Sequence, residues 1–274
     1  TSRCEVDPGY ARHYEERVRS LGRSHPVIQT QYDLIDIDSI GGYLRQFHVD
    51  SVLNSDHGQT LEPRMLYQYL FLIDIAGESE KEIEDFDEMS EGSRDSTVVW
   101  IVEVDVDNLK YDYPLYRLVH GYWWTGKQFS SGQTNGLAGQ QEIMLQLIHR
   151  WKPMRVIIDA RGVGEQISLT LQRNYSMTEP YKASQSSVSV DCYGLLSLIN
   201  NERVKIWRDN QEPMRDEFVR QLKHTKYRIV GHDFIKIEKP DSTKHIDMVK
   251  ALTYLGHVNH RELVAMATPR GRLL

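Results

Sequence analysis

The most constraining stretch of the chain is residues 67–76, YQYLFLIDIA. It is aromatic and branched at both alternating sets of positions, the mark of a strand in the middle of a sheet covered on both faces. One carboxylate, Asp74, stands near its end. An ionised carboxylate in such surroundings is costly unless a cation meets it. The strand holds no Lys or Arg, so the partner is a metal ion or a group that the fold brings in. Taken alone, Asp74 reads equally well as a cap on the turn that begins at Gly77.

A second copy of the pattern lies far downstream. Asp159 closes MRVIIDA (154–160), a short apolar run of the buried parallel type. Strands over 96–105 and 115–126, joined by a short connection containing Pro114, predict an antiparallel meander after the first strand. Apolar residues at helical spacing over 136–151 (Leu137, Ile143, Leu147 and Ile148), stopped by Pro153, predict a helix. A helix followed by a strand returns through a right-handed crossover, so the fourth strand lies parallel to the first or to a neighbour. Both carboxylates then emerge at the C-terminal edge of the sheet, where open α/β sheets bind ligands. Two acids a few ångströms apart share a proton or hold cations. No Arg is evident at either strand end, which leaves hard ions, Mg²⁺ or Mn²⁺, that take oxygen ligands.

A third acid, Asp247, lies in KHIDMVKALTYL (244–255), in the first turn of the last strongly periodic helix. Its apolar face (Ile246, Val249, Leu252 and Leu255) would dock it on the sheet. By itself Asp247 reads as an acid favoured by the helix dipole. The rest of the chain predicts helices over 164–174, 190–201, 213–224 and 244–256. Strands are predicted near 180–183, 204–207, 227–230 and 233–238. Residues 1–61, with a charged helix over 10–21, read as an appendage or linker, 62–257 as the main domain and 258–274 as a loosely held tail.

Bulk properties narrow the classes. A net charge of −6 excludes a generic basic DNA coat protein. The acids concentrate in residues 77–94, read as a solvated loop, while 203–239 leans basic with Glu and Asp interspersed. No apolar run approaches the roughly 20 residues of a membrane span. The N-terminus carries no secretory core, which points to the cytoplasm. It also lacks an initiating Met, as an excised fragment would. Cys4 and Cys192 are too few for a disulfide framework and read as free thiols. Residues 121–127, GYWWTGK, imitate a phosphate-binding loop, but Gln128 stands where a metal-binding hydroxyl is needed. His257 and His260 have helical ligand spacing without a third ligand and read as surface histidines.

An antiparallel meander, a helix, a parallel strand and a late helix, with acids on strand one, strand four and that helix, resemble the ribonuclease H-like fold: a mixed α/β sheet flanked by helices. LIDIAGESE, RDSTVVWIVEV, VIIDARGVGEQISLTL and HIDMVKAL are similar to the C-terminal nuclease domain of the large terminase subunit of tailed bacteriophages. The resemblance covers roughly residues 60–257, and DARGVGE (159–165) is its strongest piece. SHPVIQTQYDL (24–34) resembles the segment that joins the packaging ATPase to that nuclease, so residues 1–61 would follow an ATPase domain absent from this chain.

That resemblance implies a metal-dependent endonuclease cutting duplex, concatemeric viral DNA during packaging, through two divalent ions, Mg²⁺ or Mn²⁺. Asp74, Asp159 and Asp247 match the three acidic ligand positions, with Asp74 bridging both ions. Family members often carry paired aspartates at the last position. Here the neighbour is Ile246, preceded by His245, which could assist or substitute. Asp95 falls where many members place an acid at the start of strand two, either an outer ligand or a turn residue. Glu78 and Glu165 read as a solvated acid and a helix N-terminal acid. Arg161, Arg203, Lys223, Lys226 and Arg228 are the candidate DNA contacts. A portal protein and a small terminase subunit are the implied partners, in the host cytoplasm. A junction resolvase, a transposase-type nuclease and a non-catalytic assembly module are the alternatives.

Overall fold

In the computed structural model the described residues are 7–21, 28, 32, 40–76, 96–125, 129, 138–209, 212–230, 234–240 and 245–267. The acidic run 77–94 and Asp95 lie outside them. The first elements are helix α1 (Pro8–Leu21), a short strand β1 (Ile40–Gly42) and helix α2 (Gln46–Leu53). The central strands follow: β2 (Gln68–Asp74), β3 (Ser96–Lys110) and β4 (Tyr113–Thr125). Then come α3 (Gln140–Trp151), β5 (Arg155–Asp159), α4 (Val163–Asn174), β6 (Thr178–Tyr181), α5 (Gln185–Asn200), β7 (Val204–Ile206) and α6 (Pro213–His224). The chain closes with β8 (Lys226–Val230), β9 (Phe234–Glu238), α7 (Asp247–His257) and α8 (His260–Ala267).

Six strands form one sheet in the order β6-β5-β2-β3-β4-β7. The β2-β3-β4 meander is antiparallel, and β5, β6 and β7 add in parallel to their neighbours. This is the mixed ribonuclease H-like arrangement expected. The apolar pattern of β2 explains its central place. Leu70 and Leu72 face one layer with Trp100, Tyr116, Leu118 and helices α5, α6 and α7. Tyr69, Phe71 and Ile73 face the other, with Met144, Leu147, Ile148 and Trp151 of α3 and Ile167 and Leu171 of α4. Side chains on a strand alternate between faces, so a strand apolar at every position is stable only with both faces covered. A second, three-stranded sheet, β1-β8-β9, packs through Ile235 and Ile237 on the α5 side. No helix among the described residues is long and apolar enough to cross a membrane.

Three expectations need correction. A boundary at residue 61 cuts through the domain: β1 pairs with β8, and Val49 and Val52 of α2 are buried in the main core. The polar residues around them hid that contribution. The tail is not loosely held throughout, because α8 buries Leu263 and its His260 Nδ1 lies 2.6 Å from the Tyr116 hydroxyl. The second central strand runs five residues past 105, to Lys110, before Tyr111 and Asp112 turn the chain with positive φ. Its acidic end mimics a loop because it is a solvated edge.

Candidate functional site

Three elements end at one edge of the large sheet. β2 and β5 are parallel, with Ile73 opposite Ile158. Asp74 and Asp159 are therefore the next residues on neighbouring strands. Alternation sets the face: Asp74 follows Leu70 and Leu72, and Asp159 follows Ile157, all of which belong to the layer under α7. α7 lies across that layer with Asp247 as its first residue. Two bonds fix its entry. Trp100 Nε1–H donates to the Met248 carbonyl (2.9 Å), and the Met248 N–H donates to Gln221 Oε1 (3.0 Å). The second satisfies one of the N–H groups that a helix N-terminus leaves free.

The acids are held individually as well. The Ser96 N–H donates to Asp247 Oδ2 at 3.0 Å. The Tyr254 hydroxyl, two helical turns beyond Asp247, donates to Asp74 Oδ1 at 3.1 Å. Asp74, Asp159 and Asp247 are 5%, 7% and 1% exposed, so three buried carboxyl groups share one edge of the fold. Burial pushes the Asp74 carboxyl up, to about 7; Asp247 and Asp159 push the same way, while Lys250 and the Tyr254 hydroxyl oppose them. Burial also acts to raise Asp247, but His245, Lys250 and the Ser96 N–H outweigh it and hold that carboxyl below its ordinary value. Asp74 is thus the member least compensated by its own chain.

The other two carboxylates face side-chain cations. Arg161 Nε lies 3.0 Å from Asp159 Oδ1, and Nη2 lies 3.3 Å from Oδ2. Lys250 Nζ is 3.4 Å from Asp247 Oδ1, and His245 Nδ1 is 3.5 Å from Oδ2. The expectation that no Arg meets either strand end is corrected here, since a side chain two residues past the strand can fold back on it. As the side chains are placed, no group of three or more His, Cys, Asp or Glu among the described residues forms a ready ligand cluster. The donor set nonetheless suits a hard divalent ion: carboxylate oxygens from three elements, one of them buried against its own charge.

Tight backbone contact builds this edge. A Cβ on Gly164, in the first turn of α4, would stand 2.4 Å from the Asp159 carbonyl oxygen, so only glycine lets the helix start so close to the strand. Gly164 of DARGVGE thus serves the approach of helix to strand, as its position after a buried strand suggested, whereas Gly162 answers to its positive φ of 54°.

The remaining candidates separate. Arg203 is buried and donates to the Asn201 carbonyl and to Asn108 Oδ1 (3.0 Å for both). It precedes β7 at the end of the sheet opposite Asp74, so its chemistry is structural and the expected DNA contact is corrected. Lys223, Lys226 and Arg228 are exposed, and Arg228 pairs with Glu238 at 2.6 Å. Glu165 sits in the first turn of α4 and pairs with Lys182 at 2.6 Å. His257 Nε2 lies 2.8 Å from Glu179 Oε1, and His260 meets Tyr116, so neither is a free surface histidine. Tyr254 and Lys250 escaped sequence reasoning. Tyr254 lies on the Asp247 face of the helix, a spacing that could have flagged it, but an aromatic there resembles ordinary core.

The sequence pattern of the terminase RNaseH-like domain family matches residues 120–257. Among solved structures, the fold is similar to the large terminase nuclease of the thermophilic phage G20c. With cobalt bound, that nuclease is 14% identical, with a TM-score of 0.52 over 77% of this chain and 94% of that one. With magnesium bound, the identity is 14% and the TM-score 0.50, over the same shares of the two chains. At such identity the likeness carries the fold alone. No curated protein matches the chain.

Proposed function

The chain belongs to the terminase RNaseH-like domain family, and on that premise we propose that it is a divalent-metal-dependent endonuclease that cuts duplex DNA during viral genome packaging. The observation that supports this reading is that Asp74 and Asp159 end neighbouring parallel strands, with the charges of Asp159 and Asp247 both acting on the buried Asp74 carboxyl. Mg²⁺ or Mn²⁺ would be held by these three carboxylates, of which Asp74 is the least compensated by its own chain. Magnesium and cobalt bound to the G20c nuclease are consistent with that assignment. Such ions, when bound, supply a lowered pKa for an attacking water and charge neutralisation at the leaving oxygen.

The chain's own groups have defined tasks around them. Tyr254 orients the Asp74 carboxylate, and the Ser96 N–H orients Asp247, so the oxygens are preorganised. His245 assists Asp247 from the preceding loop. Arg161, Lys223, Lys226 and Arg228 would contact phosphates, which makes DNA affinity fall with salt. This answers how an acidic chain can act on DNA: the cations act locally, and the net charge does not decide the matter. Portal and small terminase partners belong to the same reading.

The test is nicking of supercoiled plasmid with Mn²⁺ by the parent chain and by Asp74→Asn. The parent should cut, and the variant should lose about a hundredfold or more. Equal cutting by the two would sink the assigned site. If neither cuts while both still bind duplex DNA, the chain is an assembly module.

A further inference from the structure

Asp159 is engaged by its own chain. Its Oδ1 accepts from Arg161 Nε (3.0 Å) and from the Arg161 backbone N–H (3.2 Å), and its Oδ2 accepts from Nη2 (3.3 Å). Both oxygens of a proposed metal ligand thus face one guanidinium fork. The fork's other neighbours on the site side are Asp74 and Tyr254, whose fields also act on it. With Oδ1 accepting twice and Oδ2 once, a divalent ion at Asp159 competes with this guanidinium for the same carboxylate charge, and the two cations repel at such separations.

The guanidinium also has somewhere to go. Its side chain is half exposed, in contrast to the buried carboxylate it grips. The next residue, Gly162, has φ +54° and no heavy atom within 4 Å of the place a Cβ would take. The half-exposed side chain can therefore rotate into solvent without disturbing the core. An arginine at the rim of a phosphodiester site is suited to bidentate contact with a phosphate.

Resting on the metal-centre reading above, we propose that Arg161 is a built-in competitor for Asp159, displaced by the divalent ion and then free to hold a DNA phosphate. One side chain then couples the two ligands. DNA that takes Arg161 away from Asp159 favours metal binding, and by linkage metal favours DNA by the same factor. The device keeps the acids compensated when neither ligand is present.

The experiment measures Mn²⁺ binding by the whole chain, by calorimetry and by the electron paramagnetic resonance of free Mn²⁺. The proteins are the parent, Arg161→Gln, Arg161→Lys and Asp74→Asn, each first checked for a cooperative melting transition. Because the pair is half exposed, Arg161→Gln should bind Mn²⁺ only roughly three- to tenfold more tightly than the parent. Arg161→Lys should fall between them. With Ca²⁺ replacing Mn²⁺ to restrain cutting, Arg161→Gln should bind a duplex oligonucleotide more weakly, and DNA should no longer tighten its ion binding. Parent-like or weaker Mn²⁺ affinity in Arg161→Gln, with binding lost in Asp74→Asn, overturns the competition and leaves the metal centre standing. Parent-like affinity in Asp74→Asn overturns the metal centre itself.

Discussion

Asp74 pays twice for its position: it is buried, and two other carboxyl groups act on it. Asp74→Asn keeps the shape and an acceptor for the Tyr254 hydroxyl while removing that charge. Without divalent ions the variant should therefore melt a few degrees above the parent, about 1 kcal/mol, even as it loses cutting. Differential scanning calorimetry in a chelator checks this; a lower transition would show that the neighbouring groups compensate the buried charge. Tyr254→Phe is the complementary probe. It deletes one hydroxyl that donates to a charged acceptor, so Mn²⁺ affinity should weaken roughly tenfold with the fold intact, read by calorimetric titration. Asp74 was legible in the sequence because a lone acid interrupts an apolar strand. Tyr254 was not, because nothing local separates an aromatic that orients a carboxylate from one that fills a core.

The strand-to-helix turn after β5 and the crossing of α5 with α7 both depend on bare backbone. Gly164→Ala would drive a methyl into the Asp159 carbonyl, and Gly256→Ala would place one 2.0 Å from the carbonyl of Asp191 on the facing helix. Backbone cannot yield as a flexible side chain does, so each should cost about 2 kcal/mol or more in urea unfolding. They should differ in activity. Gly164→Ala shifts Asp159 directly and should lower cutting even at temperatures where it is folded, whereas Gly256→Ala acts on α7 far from Asp247. Equal activity per folded molecule in both would show that the turn does not place the carboxylate. Helix α6 was read from sequence with its observed bounds, since Pro213 starts it and periodicity carries it to His224. The end of β3 was missed because its outer residues have no covering layer to impose an apolar pattern.

At the two ends of the described fold, packing sets what can be removed. A chain starting at residue 62 lacks β1 and α2, hence a strand pairing and the buried Val49 and Val52, and should be recovered unfolded or aggregated by circular dichroism. α8 brings a pH dependence. Burial holds the His260 imidazole low, at about 4 against an ordinary 6.5. The native state therefore refuses a proton that the unfolded chain accepts between those values. The stability that depends on neutral His260 is complete above about 6.5 and is lost as pH falls toward 4, on the order of 2 kcal/mol. His48, His57 and His120, also held low by burial, add in the same direction, and His257, raised first by its bond to Glu179, opposes them. His260→Gln should flatten part of the acid slope in melting temperature, and an unchanged slope would remove this histidine from the account.

By itself the sequence determined where the strands and helices fall between residues 67 and 257, the end of β3 apart, that the central strand is covered on both faces, and that two acids sit at strand ends. Those properties follow from the two- and 3.6-residue periods of neighbouring side chains, which are local. Tertiary structure alone decided which strand neighbours which, and that residues 40–61 belong to the core. It also decided that Arg161 folds back on Asp159, and that α7 lays Asp247 and Tyr254 over the sheet edge. Such choices are made by contacts between distant parts of the chain. The Ser96 N–H that holds Asp247 is 151 residues away from it, and no local spacing encodes that pairing.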